Sequence, residues 1–430
     1  MAQPDPPAGW VPGPTFLAGS TAAAGLILLA VMTRRPDLFV LVLPLLGVTV
    51  WSLLTRPTGI PQARTAIAQD APEESSAVAW TASLTGARGA EQWHVVVATS
   101  ERVTWDDQRR SVTRLLDGDA DTSSLTFALQ RWGPATIGAS EVVATSPWAG
   151  FVWGPVHLPG QEVRGVPRTD PFSGRAPVPH PVGLVGPNRS RRFGEGAEFA
   201  DIRPFRPGDK LRTIHWPVTS RTGQLHVRTS YAEQDAQVHL VLDASVDVGG
   251  RDDSATSLDL GLRACASLSQ YFLRRGDRVG LDVIGAVGRP QVPLSLGDRQ
   301  HRRVLDVLSQ VRVGRLTDRQ PDRVRLHAGP GAMVFLISPL MGDFAAKVAA
   351  DLARRGLAVV VIDCLPADPA SLAGDAWDAV ALRIRMLERS VEIDELGTHG
   401  IPVNPWRGPG SLDAVLQVLA RRPPARMRAR

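Results

Sequence analysis

Cysteine is almost absent: Cys265 and Cys364 are the only two in 430 residues. Two thiols so far apart cannot build the disulfide framework of a small secreted domain, and they lack the clustered spacing of a zinc or iron–sulfur site. Lysine is equally scarce, at Lys210 and Lys347, so the formal net charge of +5 rests almost wholly on arginine. A balance this dilute does not argue for nucleic acid, and the chain has neither a basic helix nor an aromatic-interleaved basic strand. Gly-x-Gly-x-x-Gly and Walker-type loops are missing from the C-terminal half, which argues against dinucleotides and ATP. What is present is 43% hydrophobic and 21% charged residues, a mostly globular composition with room for two or three domains.

Two uncharged apolar runs follow a short N-terminal tail (1–15). They span Phe16 to Met32 and Leu38 to Leu54, 17 residues each, and only Thr33-Arg34-Arg35-Pro36-Asp37 separates them. Seventeen helical residues rise about 26 Å, slightly short of a ~30 Å hydrocarbon core but within the range of spanning helices. A cleaved signal peptide fits less well, because the leading segment has no positive n-region and a second run follows at once. The expectation is a retained two-helix transmembrane hairpin (16–32 and 38–54). Arginine counting leaves its orientation tied, with Arg34 and Arg35 in the turn against Arg56 and Arg64 beyond it.

Residues 75–187 carry short β-branched and aromatic runs, at 77–84, 93–99, 111–116, 124–130 and 140–145, separated by Gly, Asp and Ser clusters. That spacing predicts a β-sandwich-like domain, ending in a Pro/Gly-rich linker from Thr169 to Pro187. From 237 to 420 strand and helix patterns alternate: strands at 237–243, 278–284, 332–338 and 357–363, and helices at 257–274, 299–311, 343–354 and 411–420. Alternation of this kind predicts an α/β domain with a mostly parallel sheet, whose ligands sit at the carboxyl ends of the strands.

Asp243-Ala244-Ser245-Val246-Asp247 ends the first of those strands. In an extended loop alternate residues point one way, so Asp243, Ser245 and Asp247 are candidate oxygen ligands for Mg²⁺. The bland alternative is that Asp243 and Ser245 cap the loop into the next helix. Upstream, the segment 188–236 holds a dense motif, Phe193 to Arg221. Arg206, Arg212 and Arg221, if buried, require carboxylate or carbonyl partners, for which Glu198 and Asp209 are natural candidates. His215 and Trp216 add an aromatic patch, with Trp216 a platform for guanidinium stacking. This motif reads either as a polar network pinning the segment down or as a partner-binding surface. His215 as a catalytic base lacks an assignable nucleophile.

The run Glu198-Phe199, Arg203-Pro204-Phe205, Pro207-Gly208-Asp209, Arg212, Ile214-His215-Trp216, Ser220-Arg221 and Leu242-Asp243-Ala244-Ser245 resembles the bacterial family called domain of unknown function 58. Upstream, Arg131-Trp132-Gly133 and Ser146-Pro147-Trp148-Ala149-Gly150-Phe151 are similar to that family's pattern, with Ser146 where Asp is usual. The resemblance implies a membrane-anchored protein whose α/β domain is von Willebrand factor A-like (Rossmann-type), with Asp243 and Ser245 matching its metal-ion-dependent adhesion site and Asp247 replacing the usual serine. It further implies a MoxR-type AAA+ ATPase as partner, which places both termini in the cytoplasm and the basic tail (421–430) near anionic headgroups or the ATPase. The expected function is a non-enzymatic adaptor. The alternative is a metal-assisted hydrolase using Asp243 and Asp247.

Overall fold

The computed structural model describes residues 9–100, 102–171, 193–231, 237–249, 255–314, 332–367, 376–408 and 410–421, with the backbone alone at 193–200, 230–231, 343, 376 and 418–421. Most of the expected linker and all but the first residue of the basic tail lie outside the described residues. The chain divides into two compact units, Met1–Val166 and Pro167–Arg430.

The first unit opens with a two-residue strand, β1 (Val11–Pro12), and the helices α1 (Pro14–Thr33) and α2 (Leu38–Leu54). The arginine turn forms because Arg34 adopts the left-handed conformation at φ 54° and its N–H caps the carbonyls of Ala30 and Val31. Helices α1 and α2 pack against each other; Ala23 and Ala30 of α1 and Val42 of α2 are buried, and Ser52 is buried against Gly150. The other faces are bare, with Leu28, Met32, Leu43 and Leu54 exposed. Helix α1 is long and apolar enough to cross a membrane; α2 is equally apolar but shorter.

Ten strands follow: β2 (Gln62–Ile67), β3 (Ala77–Thr85), β4 (Gln92–Val97), β5 (Val103–Trp105), β6 (Ser111–Leu115), β7 (Asp121–Leu129), β8 (Gly133–Ile137), β9 (Ser140–Thr145), β10 (Phe151–Leu158) and β11 (Gln161–Gly165). They make an antiparallel sheet ordered β1-β10-β9-β4-β6, another ordered β2-β3-β7-β5, and the pair β11-β8. Burial alternates along β3 and β4 as a one-sided sheet requires. Trp80, Trp105 and Phe127 from one sheet and Trp93, Val142 and Trp153 from the other share a single core. Strands 77–84, 93–99, 111–116, 124–130 and 140–145 appear where the alternation placed them. The sequence reading passed over β2, β5, β8, β10 and β11, which are short or interrupted by glycine and proline, as at the bulge between Trp153 and Val156 of β10.

The second unit begins with β12 (Phe193–Pro204), α3 (Trp216–Thr222) and β13 (His226–Tyr231), whose two strands pair only with each other among the described residues. Then come β14 (Gln237–Asp243), α4 (Ser257–Arg274), β15 (Arg278–Ile284), β16 (Gln291–Ser295), α5 (Asp298–Leu308), β17 (Met333–Ser338), α6 (Asp343–Arg354), β18 (Ala358–Asp363), α7 (Ala376–Thr398), β19 (Val403–Pro405) and α8 (Ser411–Arg421). The sheet order is β16-β15-β14-β17-β18-β19, parallel except for the edge strand β16. Strands β14 and β17 are buried on both faces, which is why they read as unbroken apolar runs. Helix α4 starts at a capping box, Thr256 with Asp259. The sheet grows outward from β14 in both directions, so its switch point lies between the ends of β14 and β17, at Asp243 and Ser338. The 23-residue α7 lies where no helix was expected. Its apolar residues fall on two faces, so no single stripe marks it.

Gly138 offers a direct check of the first core. Its φ is +78°, and a Cβ there would overlap the Trp80 indole nitrogen. Gly138→Ala is expected to lower the unfolding free energy of the detergent-solubilised chain by about 1–3 kcal/mol. An unchanged denaturation midpoint would show that Trp80 is not fixed at this position.

Candidate functional site

The rim at the carboxyl ends of the parallel strands is built on three aspartates, and each already has partners. Asp243 ends β14 and is buried. Its Oδ1 accepts from the Ser245 backbone N–H at 3.0 Å and the Ser245 hydroxyl at 2.6 Å, and its Oδ2 accepts from the Ser338 hydroxyl at 2.7 Å. Ser338 ends β17, and its Oγ also accepts from the Leu340 N–H, so the two strand ends at the switch point are tied side chain to side chain.

Asp247 does not join them. The chain folds back after Ser245, and Asp247 Oδ1 accepts from the Leu258 backbone N–H at 3.0 Å and the Ser257 hydroxyl at 3.3 Å. It thereby satisfies a free N–H in the first turn of α4, where negative charge also meets the positive end of the helix dipole. The expected triad is thus split: Asp243 and Ser245 come together and gain Ser338, while Asp247 serves the next helix. Asp243 accepts from Ser245 inside the strand-end loop, as the capping alternative has it, while the first turn of α4 is capped by Thr256 with Asp259 and by Asp247. Among the described residues no three His, Cys, Asp or Glu side chains are grouped to hold a metal ion. The donor set left for Mg²⁺ is one carboxylate and two hydroxyls, with both carboxylate oxygens already accepting from protein donors, which is a poor fit for a resident cation.

Asp363, at the end of β18, is held by arginines. Its Oδ1 lies 2.6 Å from Arg389 Nη2, both side chains being 8% exposed, and its Oδ2 lies 3.2 Å from Arg407 Nη2. Arg389 Nε also donates to the Pro339 carbonyl at 3.0 Å. One turn earlier on α7, Arg385 donates to the carbonyls of Leu340 and Met341 and forms a two-pronged pair with Glu392 at 2.8 and 3.0 Å. These two arginines, four residues apart on one helix face, clamp the loop after β17. The clamp fixes buried Leu340 at φ 52°, a left-handed conformation unfavourable for a non-glycine residue. The sequence reading did not identify Asp363, Arg385 or Arg389. A pair of arginines at i, i+4 was the available signal, hidden inside the helix that went unrecognised.

Neither cysteine supplies a nucleophile. Burial pushes the Cys265 thiol well up, and burial with the nearby Asp363, Asp243 and Cys265 does the same for Cys364, so both stay protonated and inert.

The motif upstream of the sheet forms an arm, β12–α3–β13, whose polar residues hold its own turns. Asp209 pairs with Arg203, not with Arg206, Arg212 or Arg221: two parallel bonds of 2.8 and 2.7 Å join them, and the Arg206 backbone N–H adds a third at 2.8 Å. The Pro207-Gly208-Asp209 turn brings the carboxylate back over the end of β12, within reach of Arg203. Residues 206, 212 and 221 are exposed on the arm and do not meet the burial that would have demanded partners. The side chain of Glu198 lies outside the described residues. His215 is the N-cap of α3, its Nδ1 accepting from the Val218 N–H at 3.4 Å. Trp216 is 66% exposed, with Leu211 and Leu225 also bare.

Two outcomes follow. Arg389→Ala leaves Asp363 and the Pro339 carbonyl buried without their main partner and should cost about 3–5 kcal/mol in chemical denaturation; Arg389→Lys, which cannot reach both groups in the same way, should fall between. Equal stability of all three proteins would remove the clamp. In the arm, the bonds from Arg203 hold the Asp209 carboxyl below the usual aspartate range, with the Arg206 N–H and the positive charges of Arg203 and Arg206 adding to the effect. A lowered native value contributes stability above the unfolded pKa of ~3.9 that disappears as pH falls through the native one. Carboxyl ¹³C titration should show Asp209 titrating low, and Arg203→Ala should move it up.

Comparison with known proteins finds a family likeness within the second unit. Residues 201–393 match the model of a family described as a protein of unknown function, DUF58. Uncharacterized proteins of Mycobacterium bovis and of two Mycobacterium tuberculosis strains are each 28% identical over 175 residues, 40% of this chain and 48% of theirs. The chain thus matches about half the length of these relatives, and the arm and the switch-point rim, from residue 201 onward, fall inside the region that resembles DUF58.

Proposed function

We propose that this chain is a membrane-anchored, non-enzymatic adaptor whose α/β domain, of the von Willebrand factor A-like kind, docks a protein partner. The observation that carries the reading is the state of the rim. Asp243, Asp247 and Asp363 are each consumed by internal donors, an arrangement that fixes a surface in shape instead of holding a base or nucleophile ready. The sheet order, with its antiparallel edge strand and switch point at Asp243 and Ser338, supports the same domain type. The hydrolase alternative needs Asp243 and Asp247 on one cation, and Asp247 is committed to α4.

The arm supplies a docking surface: Leu211, Trp216 and Leu225 are exposed apolar groups beside exposed Arg206, Arg212 and Arg221, suited to a partner with apolar and acidic side chains. A MoxR-type AAA+ ATPase is the partner class that the family resemblance implies. The bare apolar faces of α1 and α2 support insertion of both helices as a hairpin; the cytosolic ATPase that the resemblance implies is what would put the termini and the remaining domains on the cytoplasmic side.

The detergent-solubilised chain should capture a purified MoxR-type ATPase from the same genome equally with Mg²⁺ and with EDTA, and should lose roughly tenfold or more in affinity on Trp216→Ala with Arg212→Glu. Capture abolished by EDTA would restore the cation to the docking surface. Saturable hydrolysis by the chain alone, lost in Asp243→Asn, would replace the adaptor with an enzyme.

A further inference from the structure

Helix α7 carries apolar residues on opposite faces. The inner face packs Ile393 and Leu396 into the core of its own domain, with half-buried Leu382 and Met386 beside the clamp arginines. The outer face presents Trp377, Val380, Ile384, Leu387 and Val391, each 51–82% exposed. Their spacing is three, four, three, four, an unbroken a/d pattern over two heptads, about 21 Å of helix. With Trp377, Ile384 and Val391 at a, and Val380 and Leu387 at d, two of the three a positions are β-branched and one of the two d positions is leucine. That is the combination favouring parallel two-stranded pairing.

The flanking charges select the occupant. In this register Arg383 falls at g and Glu388 at e of the following heptad. A parallel pair of identical helices therefore sets Arg383 of each copy against Glu388 of the other, twice over. Both residues are exposed, and among the described residues Glu388 pairs with half-buried Arg385 at 3.3 Å, a guanidinium already bonded to Glu392. An antiparallel pair would match g with g and e with e, opposing Arg383 to Ser390 and Glu388 to Ala381, with no charge pairing. The exposed charged residues along the helix are Asp378, Arg383, Glu388, Asp394 and Glu395. This mostly acidic border is the opposite of the basic one that a helix lying on anionic lipid uses.

We infer that the outer face of α7 is a homodimer seam, on which a second copy of this chain packs its own α7 in parallel about a two-fold axis. The helix is already formed and fixed by Arg385 and Arg389 on its other side, so pairing does not bear the cost of folding it. A dimer of this kind presents two copies of the rim from one seam, and it needs neither cation nor ATPase.

The test uses the full chain in detergent micelles. Sedimentation should show a reversible dimer, and Leu387→Asp should weaken it roughly tenfold or more without shifting the denaturation midpoint at concentrations where the unsubstituted chain is monomeric, because Leu387 is 63% exposed in the monomer. Arg383→Glu and Glu388→Arg should each weaken it, and the two together should restore it. Leu387→Cys should cross-link between copies under mild oxidation, since parallel register sets residue 387 beside itself and both native cysteines are buried. A monomer at every concentration, or a dimer untouched by Leu387→Asp, overturns the seam. Loss of binding to phosphatidylserine vesicles by Leu387→Asp with no change of mass would assign the stripe to lipid.

Discussion

A single buried guanidinium organises the C-terminal rim. Arg389 reaches from α7 to the Asp363 carboxylate at the end of β18 and to the Pro339 carbonyl just past β17. Two buried charges out of water are tolerated only with close pairing and further hydrogen bonds, so these three elements cannot move independently. The positive φ of Leu340 and the position of Ser338 beneath it depend on that constraint. Through Ser338 it extends to Asp243 and hence to the centre of the sheet.

This arrangement determines what the rim can do. A carboxylate poised for acid–base or metal chemistry keeps at least one oxygen available to the reacting group. Here the oxygens of Asp243 are taken by Ser245 and Ser338, those of Asp363 by two arginines, and Asp247 by the N-terminal turn of α4. The result is a cross-braced edge in which Asp243 and Asp247 are held by hydroxyls and backbone N–H groups and Asp363 by two guanidinium groups. Projecting elements carry the exposed apolar groups instead: Trp216 on the arm and Leu387 on the outer face of α7. Both lie on helices outside the sheet.

The wiring of α7 also links those surfaces. One face holds the loop after β17 through Arg385 and Arg389, and the opposite face bears the heptad stripe. Whatever covers the stripe therefore packs against the helix that shapes the rim.

The sequence by itself determined the elements whose burial is one-sided or complete. The helical hairpin, the alternating strands such as 77–85, the apolar strands 237–243 and 333–338 and the amphipathic helix 257–274 follow from hydrophobic period, a local property. Tertiary structure alone decided the partners of polar groups. Asp247 was legible as an oxygen ligand, but a fold-back after Ser245 directs it to α4. Asp209 was legible as an arginine partner, and the turn at Gly208 selected Arg203 over Arg206, Arg212 and Arg221. Helix α7 escaped because two apolar faces cancel the period that would have revealed it, and its clamp joins residues up to 50 positions apart. Hydrophobic period is written in neighbouring residues, whereas a hydrogen bond is settled by which distant backbones the fold brings within 3 Å.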